Sequence, residues 1–390
     1  MFEYFPGNYV WSMAVTGALN NGGLIDEVDR ACRPIKDAAQ RGEDAGTEDF
    51  LRAWSDLTDQ LIGQADEAEK RGHVRTAGQV LFRACGYLAM AERMLSKSSP
   101  SRVPTYQRML KLHERTFGLY SPRVSRVEIP YEGTTLPAYF SAAPATDDGP
   151  APVIVLVNGL DSCKEHMYMS NHWSELAERG ISCLMLDQPG TGESLRLQDL
   201  KARIDAEVWA GAAVDWLERR PEVDTARIGI VGWSLGGYYA PRSAAFEKRF
   251  ALCVAWGANH NWGAVQRRRL EREGERPVPH YWEHVMWVWG QNDLDSFIEF
   301  ADGVNLEGVV EQITVPFLIT HGEGDRQIPL EYAHRSFDQA VNSPKRELRI
   351  FTAQEGGTEH IGVDHMPYVS VFIADWVADT FAEIATAARA

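Results

Sequence analysis

The chain has 390 residues, 44% of them hydrophobic and 24% charged, and carries a formal net charge of −16. That balance excludes disordered and fibrous classes and allows a large core, while the acidic excess argues against a nucleic-acid partner, whose phosphates are held by clustered Lys and Arg. The one dense basic run, Arg267, Arg268 and Arg269, is followed by Glu271, Glu273 and Glu275 and reads as a solvated helix face.

Cys32, Cys85, Cys163, Cys183 and Cys253 are odd in number, widely spaced and without CxxC or Cys/His metal spacing. No metal and a reducing cytoplasm are expected from them. The first residues, "MFEYFPGNYVWSMAV", show no basic leader before an apolar stretch, and no apolar run approaches the ~18 residues that span a bilayer. A soluble cytoplasmic protein with no membrane partner is the expectation.

From about Gly23 to Phe117 the pattern is helical. Val74, Ala77, Leu81, Ala84, Leu88, Ala91 and Leu95 recur at three- and four-residue steps, one apolar stripe facing a partner. No second copy recurs at a fixed period, so a helical N-terminal domain, 1–120, is expected. "SKSSPSRVP", Ser96 to Pro104, breaks the pattern and joins two helices. The aromatic start raises a homodimer through this region as one mode of assembly.

After Tyr120 the texture alternates, with a hairpin turning at Glu132 and Gly133. Short branched runs follow: "PVIVLVNG", "ISCLMLDQPG", "RIGIVGWS", "FALCVAWGA", "VPFLITHGEGD" and "ELRIFTA". With helices between them, such as Glu165 to Arg179 and Ala202 to Arg219, they predict an α/β fold, a mostly parallel sheet flanked by helices over 121–390. A helical insertion at about 259–312, holding "PHYWEHVMWVWGQNDLDSFIEFA", is expected to cap the site.

In "GWSLGG" the G-x-S-x-G pattern puts Ser234 between a strand and a helix, with Gly232 and Gly236 where a Cβ would collide with the doubled-back chain. A serine hydroxyl needs a base, and the base an orienting carboxylate. Asp325, in "HGEGDRQIP" beyond a strand end, is the acid, with Glu323 the rival. His360, in "QEGGTEHIGVDHMPYV", is the base; His365 is the rival, with Asp364 read as the N-cap of the final helix. The N–H groups of Leu235 and Leu160 are the expected oxyanion donors. Ser162 to Glu165, "SCKE", has capping-box spacing. Trp256, Trp262, Trp282, Trp287 and Tyr238 are candidates to line a bulky aromatic substrate.

These residues carry a resemblance to the alpha/beta-hydrolase superfamily, and "NGLDSCKEH", "DQPGTGES", "GWSLGGYYAPRSAAFEKR" and "GGTEH" resemble the branch of 2,6-dihydroxypseudooxynicotine hydrolases and fungal pigment heptaketide hydrolases. The resemblance implies a triad of Ser234, Asp325 and His360, no cofactor, and cleavage of a carbon–carbon bond beside a ketone, or shortening of a polyketide chain. It differs from the nicotine-pathway member in that "WGANHNWGAVQRR" contains no glutamate. A carboxylesterase or lactonase acting on aromatic esters stays open, as does a non-catalytic ligand receptor on the same fold.

Overall fold

The computed structural model describes residues 1–144, 149–272 and 276–388. Its sheet has eight strands: β1 (Val124–Tyr131), β2 (Thr134–Ser141), β3 (Ala151–Val157), β4 (Ser182–Leu186), β5 (Val223–Trp233), β6 (Phe250–Trp256), β7 (Phe317–Gly322) and β8 (Arg346–Phe351). They lie in the order β1-β2-β4-β3-β5-β6-β7-β8. β2 runs antiparallel to β4, and every pair from β4 through β3 to β8 is parallel.

The branched runs become strands because helices cover both faces. Val153 to Val157 and Cys183 to Leu186 are fully buried, whereas β8, at the sheet edge, is mostly half-buried. Glu132 and Gly133, at φ 40° and 82°, make the two-residue turn joining β1 to β2. Parallel strands deliver their following loops to one edge of the sheet. The loops after β3, β5, β7 and β8 therefore share that edge.

Two compact units divide the chain: Met1–Ser125 with Glu275–Trp287, and Arg126–Gly274 with Val288–Ala390. In the first, the stripe from Ala77 to Leu95 is buried while Val74 is exposed. Phe5, Trp11, Phe50, Trp54 and Tyr87 pack ring to ring in succession. Most of the aromatic start is thus core of this unit, with Phe2 left exposed. The 276–287 segment is tied to residues of the first 125. Arg93 donates to the Pro277 carbonyl at 2.6 Å, Asp44 accepts from His280 N–H at 2.8 Å, and Glu283 accepts from Ser98 N–H at 3.1 Å.

Several local expectations are corrected. The stretch from Glu165 to Arg179 is two helices, Lys164–Met169 and His172–Glu178, broken where Asn171 turns left-handed at φ 63°. The helix expected from Ala202 begins at Glu207, because the Ala202 N–H is committed to the Val288 carbonyl. The aromatic insertion is likewise two helices, Tyr281–Trp289 and Leu294–Ala301, separated by Gly290 at φ 67° and capped by Asp293. The arginine run is not wholly solvated: Arg267 and Arg268 are exposed, but Arg269 is buried and donates to the Gln327 carbonyl. Glu273 and Glu275 lie outside the described residues.

"SCKE" makes no capping box. Cys163 is the N-cap, its thiol bonded to the His166 ring at 3.1 Å rather than to a helix N–H; Ser162 turns back toward β5, and Glu165 is fully buried. Asp364 is not the N-cap of the last helix, which is His365 ahead of Met366–Ala387. Its carboxylate instead accepts from the N–H groups of Gly357, Thr358 and Glu359 at 3.1, 3.1 and 2.9 Å. The loop is pulled around one charge.

Candidate active site

β5 ends at Trp233, and Ser234 follows in the left-handed region at φ 57°, a strained conformation for a residue with a side chain. The glycines around it let the chain turn there. A Cβ on Gly232 would lie 2.1 Å from the Gly236 carbonyl oxygen, and one on Gly237 1.9 Å from that of Gly257. Ser234 donates its N–H to the Trp256 carbonyl, fixing the turn against the end of β6. Leu235 then stands at the N-cap of the helix Gly236–Phe246, whose first turn is closed tightly by the N–H groups of Gly237 and Tyr238 donating to the Ser234 and Leu235 carbonyls at 2.8 and 2.9 Å.

Around Ser234 the structure brings Asp325 and His360 together. His360 Nε2 is 2.7 Å from Ser234 Oγ, and His360 Nδ1 is 2.9 Å from Asp325 Oδ2. The Asp325 side chain is 1% exposed. Burial pushes its carboxyl up, but His360 first, and the Ile328 N–H, outweigh that and hold it below the usual carboxylate range. An ionised carboxylate only accepts, so His360 donates from Nδ1 and its Nε2 lone pair faces the serine hydroxyl. Asp325 Oδ1 accepts from the N–H groups of Gln327 and Ile328 at 2.8 and 3.0 Å, which sets its plane. Glu323 is exposed and accepts from the Ala353 N–H. His365 is exposed and bonds to the Glu355 carbonyl.

His321 supports this pair and was not singled out in the sequence. Its Nδ1 accepts from Ala258 N–H at 3.3 Å, so the proton sits on Nε2, which donates to the Ile328 carbonyl at 3.1 Å. Burial pushes its pKa down, more than Asp325, 3.7 Å away, pulls it up. The ring is neutral and acts as a spacer behind the carboxylate.

Leu160 lies in the turn after β3, 4% exposed. That turn touches the serine: a Cβ on Gly159 would lie 2.8 Å from Ser234 Cβ. Asn158 anchors it, donating to the Leu186 carbonyl at 2.8 Å and to Asp187 at 3.2 Å, while Gln188 pairs with both backbone groups of Asn158. A polar pair directly after the buried run "CLML" was the available signal for this anchor. Below it, Lys164 Nζ sits fully buried 2.8 Å from Glu165, 2.9 Å from Asp187 and 3.0 Å from Glu193.

The aromatic candidates occupy varied places. Trp256 is 1% exposed and donates its indole N–H to the Ile361 carbonyl at 2.8 Å. Trp262 is buried against Trp289 and Phe297. Tyr238 is buried, and its hydroxyl donates to the Ile204 carbonyl at 2.9 Å. Trp282 and Trp287 belong to the first unit, where Trp282 packs on Tyr281 and Trp287 lies under the Arg102 guanidinium.

Strand order, the serine elbow at the end of β5 and the helices between parallel strands define an alpha/beta-hydrolase fold, and the class is that of a hydrolytic enzyme. The model of the alpha/beta hydrolase family matches residues 154–380, and the chain belongs to that family. It is 26% identical to 2,6-dihydropseudooxynicotine hydrolase of Paenarthrobacter nicotinovorans over 84% of this chain and 83% of that protein. It is 33% identical to the alpha/beta hydrolase gkaG of Penicillium citrinum over 62% of this chain and 57% of that one. The crystal structure of 2,6-dihydroxy-pseudo-oxynicotine hydrolase superposes with a TM-score of 0.74 at 23% identity, over 94% of this chain and 95% of the other. Among the described residues, no helix is long and apolar enough to cross a membrane.

Proposed function

We propose that the chain is a serine hydrolase that forms an acyl-enzyme on Ser234 and cleaves a carbon–carbon bond beside a ketone in a bulky aromatic or polyketide-like substrate. The observation that carries this reading is the relay from Ser234 through His360 to Asp325, at 2.7 and 2.9 Å, on a strained elbow. In this mechanism His360 Nε2 takes the hydroxyl proton as Ser234 Oγ adds to the carbonyl carbon, and Asp325 stabilises the imidazolium. Leu235 N–H and Leu160 N–H receive the oxyanion. Collapse expels a carbanion stabilised by its own neighbouring carbonyl, which His360 protonates. Water, deprotonated by the same imidazole, then releases the acid.

The substrate class rests on the likeness to 2,6-dihydropseudooxynicotine hydrolase along most of both chains. Fluorophosphonate labelling tests the nucleophile. The expected result is one adduct on Ser234, lost in Ser234→Ala; a folded protein that stays unlabelled would remove the mechanism. Product analysis on aryl β-diketones against short aryl esters tests the bond. Diketone cleavage supports the proposal, and a strong preference for simple esters would replace it with a carboxylesterase.

A further inference from the structure

Two loops must hold still for that chemistry: the 158–162 turn beside Ser234 and the loop carrying His360. Each is tied by one indole N–H. Trp233, the residue before the serine, donates from Nε1 to Ser162 Oγ at 3.0 Å. Trp256, at the end of the adjacent strand, donates from Nε1 to the Ile361 carbonyl at 2.8 Å, one residue past His360. The two indoles pack edge to face, centroids 5.8 Å apart, and the His172 ring packs on Trp256 from 5.2 Å.

Both anchored atoms are held tightly. Ser162 Oγ accepts from Gly159 N–H at 3.0 Å and from Trp233, and donates to Asn158 Oδ1 at 2.8 Å, which uses its full hydrogen-bonding capacity. Ile361 is β-branched yet left-handed at φ 53°, a conformation that persists only where its surroundings impose it. We propose that Trp233 and Trp256 form a paired brace of positioning residues, one indole fixing the oxyanion turn through Ser162 and the other fixing the His360 loop through Ile361. The brace rests on the serine-hydrolase reading above. It assigns Trp256 to holding the machinery rather than touching substrate.

The test is the kinetics of fluorophosphonate labelling on the full chain, read as kinact and KI in Trp256→Phe and Ser162→Ala, each alone and combined with His360→Ala. Each single variant is expected to lower kinact about 10- to 100-fold, the effect of a misplaced reacting group, with KI within about twofold. A merely structural role would instead lower the labelled fraction at unchanged kinact. Because Trp256 acts through His360, its effect disappears in the His360→Ala background, whereas the Ser162 effect persists there. Benzothienylalanine at position 256 keeps the ring shape and removes the N–H, and gives the same result if Trp256→Phe does not fold. Unchanged kinact in both single variants, or a Trp256 effect of equal size with and without His360, would overturn the brace. Full labelling speed in His360→Ala alone would remove the catalytic reading itself, and the brace with it.

Discussion

Replacing Lys164 by Met removes a fully buried cation from an acidic cluster whose Glu193 also pairs with Arg126 at 2.7 Å. The Lys164 ammonium lies 2.8 to 3.0 Å from carboxylates of Glu165, Asp187 and Glu193, none more than 10% exposed. At an effective dielectric of about 20, each such contact is worth roughly 6 kcal/mol of gross attraction, much of it offset by desolvation of the lysine. Removing one member of a buried set costs about 3–5 kcal/mol net, because the carboxylates lose their buried counter-charge. The Asp187 carboxyl is already pushed up, by burial first, with Lys164 pulling the other way. Without Lys164 it rises further, so the folded variant binds a proton that the unfolded chain does not hold. Its stability then falls as pH rises through that window. Urea unfolding of wild type and Lys164→Met at pH 8 and pH 5 reads this directly: the gap is expected near 3–5 kcal/mol at pH 8 and at least about 1 kcal/mol smaller at pH 5. A gap independent of pH, or a variant as stable as wild type, would refute the charge argument. Asp187 also accepts from Lys164 N–H and Asn158, so slower labelling of Ser234 should accompany the loss.

Asp325→Asn is expected to reduce turnover about 10⁴-fold with substrate binding retained, since the amide leaves His360 in the wrong tautomer; stopped-flow burst kinetics check it. Gly237→Ala should lose soluble protein or about 3 kcal/mol of stability, because the added Cβ would lie 1.9 Å from the Gly257 carbonyl oxygen; thermal unfolding reads this. In the helical unit, Arg102→Ala should cost about 3–5 kcal/mol, since Arg102 and Glu92 pair at 3.2 Å with side chains 3% and 0% exposed. Breaking the exposed Arg71 and Glu67 pair should cost under about 1 kcal/mol in the same assay.

By itself the sequence determined what depends on neighbours along the chain. Branched runs too short for helices, separated by helical stretches, specify a mostly parallel sheet, and the glycines of "GWSLGG" specify a turn that only a missing Cβ allows. Turn signals of that kind carry their own sterics. Besides the helix breaks at Asn171 and Gly290, the elements it missed are those in which a polar side chain chooses between a local and a distant partner. Ser162 has the spacing of a cap but bonds across to Trp233, 71 residues away, and Asp364 has the place of a cap but gathers the backbone before His360. Capping bonds are worth only about 1 kcal/mol, so burial and a saturated distant network outweigh them. The meeting of Ser234 with His360, 126 residues later, and of His360 with Asp325 is likewise a product of strand order, which brings the loops after β5, β7 and β8 to one edge. The pairing of a piece of the aromatic insertion with the N-terminal unit lies wholly in the tertiary structure, because its ties, such as Arg93 to the Pro277 carbonyl, His280 N–H to Asp44 and Arg102 over Trp287, join residues that sequence spacing does not mark.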